Sequence, residues 1–221
     1  MKFRKGDSTK QAILDHAVRL ASAIGLEGLS IGSLASDLKL SKSGLFAHFK
    51  SKEALQVQVL EASAARFTER VVRPALVEPR GEKRVRALFD RWLAWGLAPG
   101  DEGGCVFVQA AAELDDRPGP ARDRLVELQR NWIEILATIA GHGVEAKAFR
   151  PDLDPRAFAQ ELYGIMLSLH YFVRLLGDEA AVERARANFS ALLARSRVPS
   201  SPSSRPASSR SRPRKTQRSS V

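Results

Sequence analysis

Residues 29–55 read LSIGSLASDLKLSKSGLFAHFKSKEAL. Two short apolar pieces, Ile31 to Leu38 and Lys42 to Phe49, are each preceded by a serine that can accept from the unpaired N–H groups of a helix start. Two brief helices joined by a tight turn follow, and where such helices cross they need small and branched side chains. Ala35 suits the close approach, and Ile31, Leu34, Leu38, Leu40, Leu45 and Phe49 are expected to supply the rest of the buried side. On the second helix Lys42, Ser43, Phe46 and Ala47 lie away from the Leu45 and Phe49 face, as residues aimed into a DNA major groove must. His48, Lys50 and Lys52 stand at its end and at the start of the next helix. The Lys52 ammonium and the N–H groups after Ser51 suit a phosphate, because a helix N-terminus favours negative charge.

Upstream, Ile13, Ala17, Leu20, Ala21 and Ile24 mark one face of a helix from Ser8 to Ile24, with Ser8 as cap and Gly25 as stop. Downstream, Ser51 opens a long linking helix through about Val72 that ends near Pro74. Beyond Pro79 the pattern resumes with Val85, Leu88, Phe89, Trp92 and Trp95, stopped by Gly96 and Pro99. A Gly-rich turn, Gly100 to Gly104, precedes an apolar run from Cys105 to Leu114. A helix from about Ala121 to Ala140 comes next, then a looser stretch from Gly141 to Asp154, then helices at Pro155 to Leu176 and Glu179 to about Arg195. No period-two alternation is sustained, so the expected fold is all-α. A three-helix, helix-turn-helix domain over residues 1–52 is followed by a helical domain over 53–197 and a basic Ser/Pro/Arg tail over 198–221.

The 221 residues are 44% hydrophobic, enough to bury a real core. Six Lys or Arg and no acid fall in 199–221, and taking those six from the formal +10 leaves a body of only +4. A nucleic-acid reading must therefore rest on local residues rather than on overall charge. The tail has almost nothing to bury and is expected to be disordered, serving either as a solubilising end or as a nonspecific phosphate-binding arm. The single cysteine, Cys105, excludes an intramolecular disulfide and reads as a buried hydrophobe. The N-terminus carries no apolar signal region and no stretch approaches about 18 apolar residues; a cytoplasmic location without membrane contact is expected. Four histidines without metal spacing, no phosphate-cradling loop and no nucleophile elbow argue against an enzyme, and no metal or cofactor is expected.

The stretch from about residue 8 to 55, and most specifically SKSGLFAHFKSKEAL at 41–55, resembles the DNA-binding domain of the TetR family of regulators. The resemblance implies that Ser30 and the N–H groups after it hold phosphate. It places Lys42, Ser43, Gly44, Phe46 and Ala47 on the recognition helix, with His48 and Lys52 on the DNA backbone. It also implies a homodimer joined through the last two long helices, a near-palindromic double-stranded operator, and a small-molecule effector bound in the C-terminal domain, whose binding releases the operator. The sequence departs from the family pattern in the turn, where Lys39 replaces a common glycine and either adopts a left-handed conformation or uses a different turn. Phe46 stands for a common tyrosine, so a hydroxyl contact is lost. Gly44 and Ala47 are small, which leaves Lys42 as the expected reader of a guanine. A nonspecific architectural DNA binder driven by the tail is the rival reading.

In the C-terminal domain Trp92, Trp95, Phe107, Trp132, Tyr163, Met166 and His170 are candidates to line an effector cavity. Tyr163 and His170, seven apart on one helix face, are the expected polar contacts.

Overall fold

The computed structural model describes residues 5–97 and 105–199, with side chains from Lys10 onward. The Gly100–Gly104 turn and the tail beyond Pro199 lie outside the described residues, and the first helix begins at Lys5, so Ser8 stands inside it and does not cap it. Helices account for nearly all of the rest: α1 (Lys5–Gly28), α2 (Ile31–Asp37), α3 (Lys42–Phe49), α4 (Lys52–Phe67), a π-helical turn (Thr68–Val72), α5 (Arg73–Val77), α6 (Glu82–Gly96), α7 (Val106–Leu114), α8 (Pro120–Glu145), α9 (Pro155–Arg174) and α10 (Ala181–Ser196). Among the described residues there is no strand, only an isolated antiparallel bridge between Phe149 and Arg197. The all-α expectation holds.

The serines of the opening stretch set the helix starts. Ser30 and Ser33 form a reciprocal capping box, each hydroxyl accepting from the other's backbone N–H at 2.9 Å. Ser41 accepts from Gly44 N at 3.2 Å and Ser51 from Ala54 N at 3.0 Å. Each such cap is worth about 1 kcal/mol, which matters most to α2 and α3, each only about two turns long. Lys39 takes the left-handed turn at φ 54°, the first of the two geometries open to it, and Lys50 adopts a second positive φ of 63° between α3 and α4.

Several expectations are corrected. Gly25 does not stop α1 but breaks it: at φ 80° the chain turns and one more helical turn runs to Gly28. That break carries Leu26 and Leu29 inward to full burial and leaves Ile24 exposed, so Ile24 leaves the buried face. Leu40 is 45% exposed, because the left-handed Lys39 turns it outward. Pro74 does not end the linking helix. The wide π turn before it accommodates a ring that would otherwise meet the carbonyl four residues back, and α5 continues from Arg73. The stretch after Ala140 is not loose. Helix α8 runs on to Glu145, and Phe149 folds back, fully buried, against Gly143, where any Cβ would collide with the ring.

Two apolar cores result. One joins α1–α4 to α7 and the start of α8, through Leu34, Leu45, Phe49, Leu55, Leu60, Ala110 and Leu125. The other lies among α5, α6, α8, α9 and α10, with Phe89 stacked on Phe189 at 4.0 Å between ring centroids. Each large side chain buried this completely stabilises the fold by about 1.5–3 kcal/mol relative to exposure. Phe67, at the end of α4, packs against both cores.

Candidate nucleic-acid interface and effector cavity

Burial of Leu34, Ala35, Leu45 and Phe49 turns the opposite side of α3 to solvent. Lys42, Ser43, Gly44, Phe46 and Ala47 are all exposed, Phe46 at 58%, and His48 is half-buried beside Phe49. The Lys42 side chain does not extend from this face. Its ammonium lies 3.7 Å, and its Cε 3.4 Å, from where a Cβ on Gly32 would stand, over the first turn of α2. That position adds positive charge to N–H groups that already favour an anion. Ser30, by contrast, spends its hydroxyl on Ser33, donating to Ser33 Oγ at 3.0 Å and accepting from Ser33 N. Of the Ser30 site, only the backbone amides of the first turn of α2 remain for a ligand.

Lys52 is engaged inside the protein. Its Nζ donates to the Glu27 carbonyl oxygen at 2.8 Å and to Glu27 Oε2 at 3.3 Å, tying the start of α4 to the last turn of α1. Gln56, buried on α4, donates to the Leu26 carbonyl at 2.9 Å and to Glu27 Oε1 at 3.2 Å, and Arg117 pairs with Glu27 Oε2 at 2.9 Å. The Gln56 hydrogen bond, joined by those two cations, holds the Glu27 carboxyl below the usual range against the opposing effect of burial. Nothing in the spacing of Glu27, Gln56 and Arg117 reveals this junction, since their separations in sequence carry no helical period.

The C-terminal region contains a cavity of about 280 Å³. Its walls come from the end of α4 (Phe67), the π turn (Thr68, Val72), α6 (Trp92), Cys105 with α7 (Phe107, Val108), α8 (Gln129, Trp132, Ile135) and α9 (Tyr163). Of the seven expected residues, Trp92, Phe107, Trp132 and Tyr163 line it. Trp95 does not; it packs edge-on against Phe67 at 5.6 Å between ring centroids. Met166 is fully buried core, and His170 faces a separate small hollow with Gly96, Leu97 and Arg174. Seven residues separate Tyr163 from His170, or about 10.5 Å along a helix, too far to share a small cavity. Burial lowers the His170 pKa, helped by Arg174. Tyr163 is the polar contact that remains, and its Oη accepts from Gln129 Nε2 at 2.8 Å. Burial pushes the Tyr163 phenol up and, more completely, the Cys105 thiol, so neither ionises readily.

Helix α7 spans the distance between cavity and DNA-facing region. Phe107 and Val108 stand at its start; at its end Glu113 Oε2 accepts from the backbone N–H of Glu27 at 3.0 Å, against the Gly25 break. Outward-facing side chains on the last helices complete the picture. Gly164, Leu167, Ser168 and Tyr171 form one exposed line on α9, continued by Leu175 just past its end, and Ala187, Ala191 and Ala194 form another on α10.

A helix-turn-helix with an exposed recognition face, joined through a shared core to a helical domain with an apolar cavity, defines a DNA-binding transcriptional regulator. Two family models match the chain, "Bacterial regulatory proteins, tetR family" over residues 13–59 and "Tetracyclin repressor-like, C-terminal domain" over 81–189. The chain belongs to the TetR family of transcriptional regulators. It is 24% identical to the HTH-type transcriptional repressor NemR of Escherichia coli K12 over 188 residues, 84% of this chain and 94% of that protein. A TetR-family regulator from Cytophaga hutchinsonii superposes with a TM-score of 0.79 at 20% identity, covering 90% of this chain and all of that one. AibR, solved with isovaleryl coenzyme A and operator DNA, superposes with a TM-score of 0.64 at 21% identity, covering 80% and 96%.

Proposed function

We propose that this protein is a cytoplasmic, homodimeric repressor that holds a near-palindromic operator and releases it when a small molecule occupies the cavity. The observation that carries this reading is α7, which contributes Phe107 and Val108 to the cavity and Glu113 to the α1 break. A ligand that moves the start of α7 pulls on α1, which shares one core with α2 and α3 and is paired to α2 through His16 and Asp37. It changes operator affinity by as much as it prefers one arrangement over the other. AibR, solved with isovaleryl coenzyme A and operator DNA together, is a precedent for a small molecule and an operator on this fold.

In this reading residues 1–52 read DNA, residues 53–197 sense the ligand and dimerise, and the tail from 198 adds nonspecific affinity. Phosphate is held by the amides of the first turn of α2 together with Lys42. Ser43, Phe46 and Ala47 face the bases, with the Phe46 ring suited to a thymine methyl group. His48 and the remaining N–H of Lys52 lie at the backbone. The exposed line of α9 packs with the alanine line of α10 across a two-fold axis, since small residues let helices approach closely and the large apolar groups beside them then leave water. An architectural role would leave the cavity and its link to α1 without a task.

Selection of sites from random duplex DNA at about 0.15 M salt, where electrostatic binding is weakened, tests the reading. An enriched inverted repeat, bound by a dimer and by a form lacking 199–221, is expected. Leu167→Glu should give a folded monomer by light scattering that no longer holds the repeat. Recovery of no repeat, or a monomeric wild type, refutes the proposal.

A further inference from the structure

The cavity's chemistry is lopsided. Five aromatic side chains from separate elements reach its wall, Phe67, Trp92, Phe107, Trp132 and Tyr163, with Phe67 edge-on to Trp132 at 4.8 Å between centroids. Among the described residues no Asp, Glu, Lys, Arg or His lines it. Besides the exposed Thr68 and Asn131 and the Cys105 thiol, its polar side chains are Gln129 and Tyr163, which are hydrogen-bonded to each other. Gln129 Nε2 donates to Tyr163 Oη, which leaves the phenol hydrogen and the second oxygen of the pair, Gln129 Oε1, outside any hydrogen bond among the described residues. Turning the amide over exchanges these roles but still leaves one donor and one acceptor on the pair. A ligand group that pairs these two atoms gains hydrogen bonds that the aromatic wall cannot offer.

We propose that the effector is an uncharged aromatic compound of one or two fused rings, carrying a group that donates and accepts a hydrogen bond at once, a hydroxyl or a carboxamide. The proposal rests on the reading of this cavity as the effector site. The rings lie among Phe67, Trp92, Phe107 and Trp132, and the polar group completes the Gln129–Tyr163 pair. A carboxylate would meet aromatic faces and no cation, and a quaternary ammonium would meet aromatic faces with no carboxylate to balance the loss of its hydration. The volume, just under the roughly 300–1,000 Å³ usual for small-molecule pockets, suits a compact ligand and not a nucleotide-bearing thioester.

Calorimetry of the full chain with four probes at about pH 7, where a phenol stays protonated, tests this. The probes are 2-naphthol, 2-methoxynaphthalene, 2-naphthoate and trimethylanilinium. Saturable 2-naphthol binding is expected, with each other probe at least about tenfold weaker, the equivalent of one hydrogen bond. Tyr163→Phe and Gln129→Leu should each weaken naphthol about tenfold and leave the weak methoxynaphthalene binding as it was; circular dichroism identifies any variant that has lost its fold, and the other then decides. No naphthol binding, equal binding of the anion, the cation or the methyl ether, or unchanged affinity in both folded variants overturns the proposal. Operator affinity is read separately by fluorescence anisotropy. Naphthol that binds as expected but leaves operator affinity unchanged supports the ligand class and counts against the regulatory reading instead.

Discussion

The Glu113 carboxylate on α7 accepts a hydrogen bond from the backbone N–H of Glu27, 86 residues earlier, at the point where Gly25 breaks α1. Any Cβ at position 25 would overlap that carboxylate, and a non-glycine residue at φ 80° would be strained as well. The glycine therefore serves two ends, turning the chain so that Leu26 and Leu29 reach the core and leaving room for the group that caps the turn.

Removing the carboxylate leaves the Glu27 N–H unpaired in a half-buried place. Glu113→Ala should lower stability by about 1–2 kcal/mol, visible as a reduced denaturant midpoint at constant slope. Gly25→Ala should cost more, because it combines backbone strain with displacement of Glu113. If α7 carries the signal, Glu113→Ala should also shrink the effector-induced change in operator affinity while ligand affinity stays within about threefold. An unaltered change in operator affinity in this variant would rule out α7 as the route.

Lys42 and Phe46, four residues apart on α3, are expected to behave differently on DNA. Lys42→Ala should weaken binding almost uniformly across sequences and reduce the salt slope by about 1, as loss of one phosphate contact does. Phe46→Ala should relax the preference for thymine at one position of each half-site with little change in slope. Site selection and salt titration on both variants decide it. A specific loss at a guanine in Lys42→Ala would return Lys42 to base reading.

Glu82, at the start of α6, is held down to about 2 by hydrogen bonds from Arg197 first and then Arg86, against the opposing effect of burial. Arg197 reaches it with two nitrogens at 2.7 Å, fastening the end of α10 to α6. Because the folded pKa is depressed, this contribution to stability is present above the ordinary glutamate range, near 4.5, and is lost as pH falls towards about 2. Glu82→Gln should be less stable than the wild type at neutral pH, and the difference should narrow across that window in acid titrations followed by circular dichroism. A difference independent of pH would mean that the pair contributes by packing alone.

The sequence by itself determined the helices, the helix-turn-helix and the exposure of Ser43, Phe46 and Ala47. These follow from capping serines, apolar spacing and turn residues, and the hydrogen bonds of a helix join residues only four apart. It did not determine where the long side chains go. Lys42 and Lys52 read alike as cations near a DNA-facing helix, yet one lies over the start of α2 and the other is bonded to Glu27, because their ends sample several directions and only the neighbouring helices choose among them. The cavity is still less local. Its aromatic residues could be recognised as apolar, but whether each fills the core or borders empty space depends on how six segments meet, and Met166 and Trp92 differ in that respect alone. Tertiary packing also decided that Gly25 would bend α1 rather than end it, since the Glu113 side chain that completes the bend arrives from a distant helix.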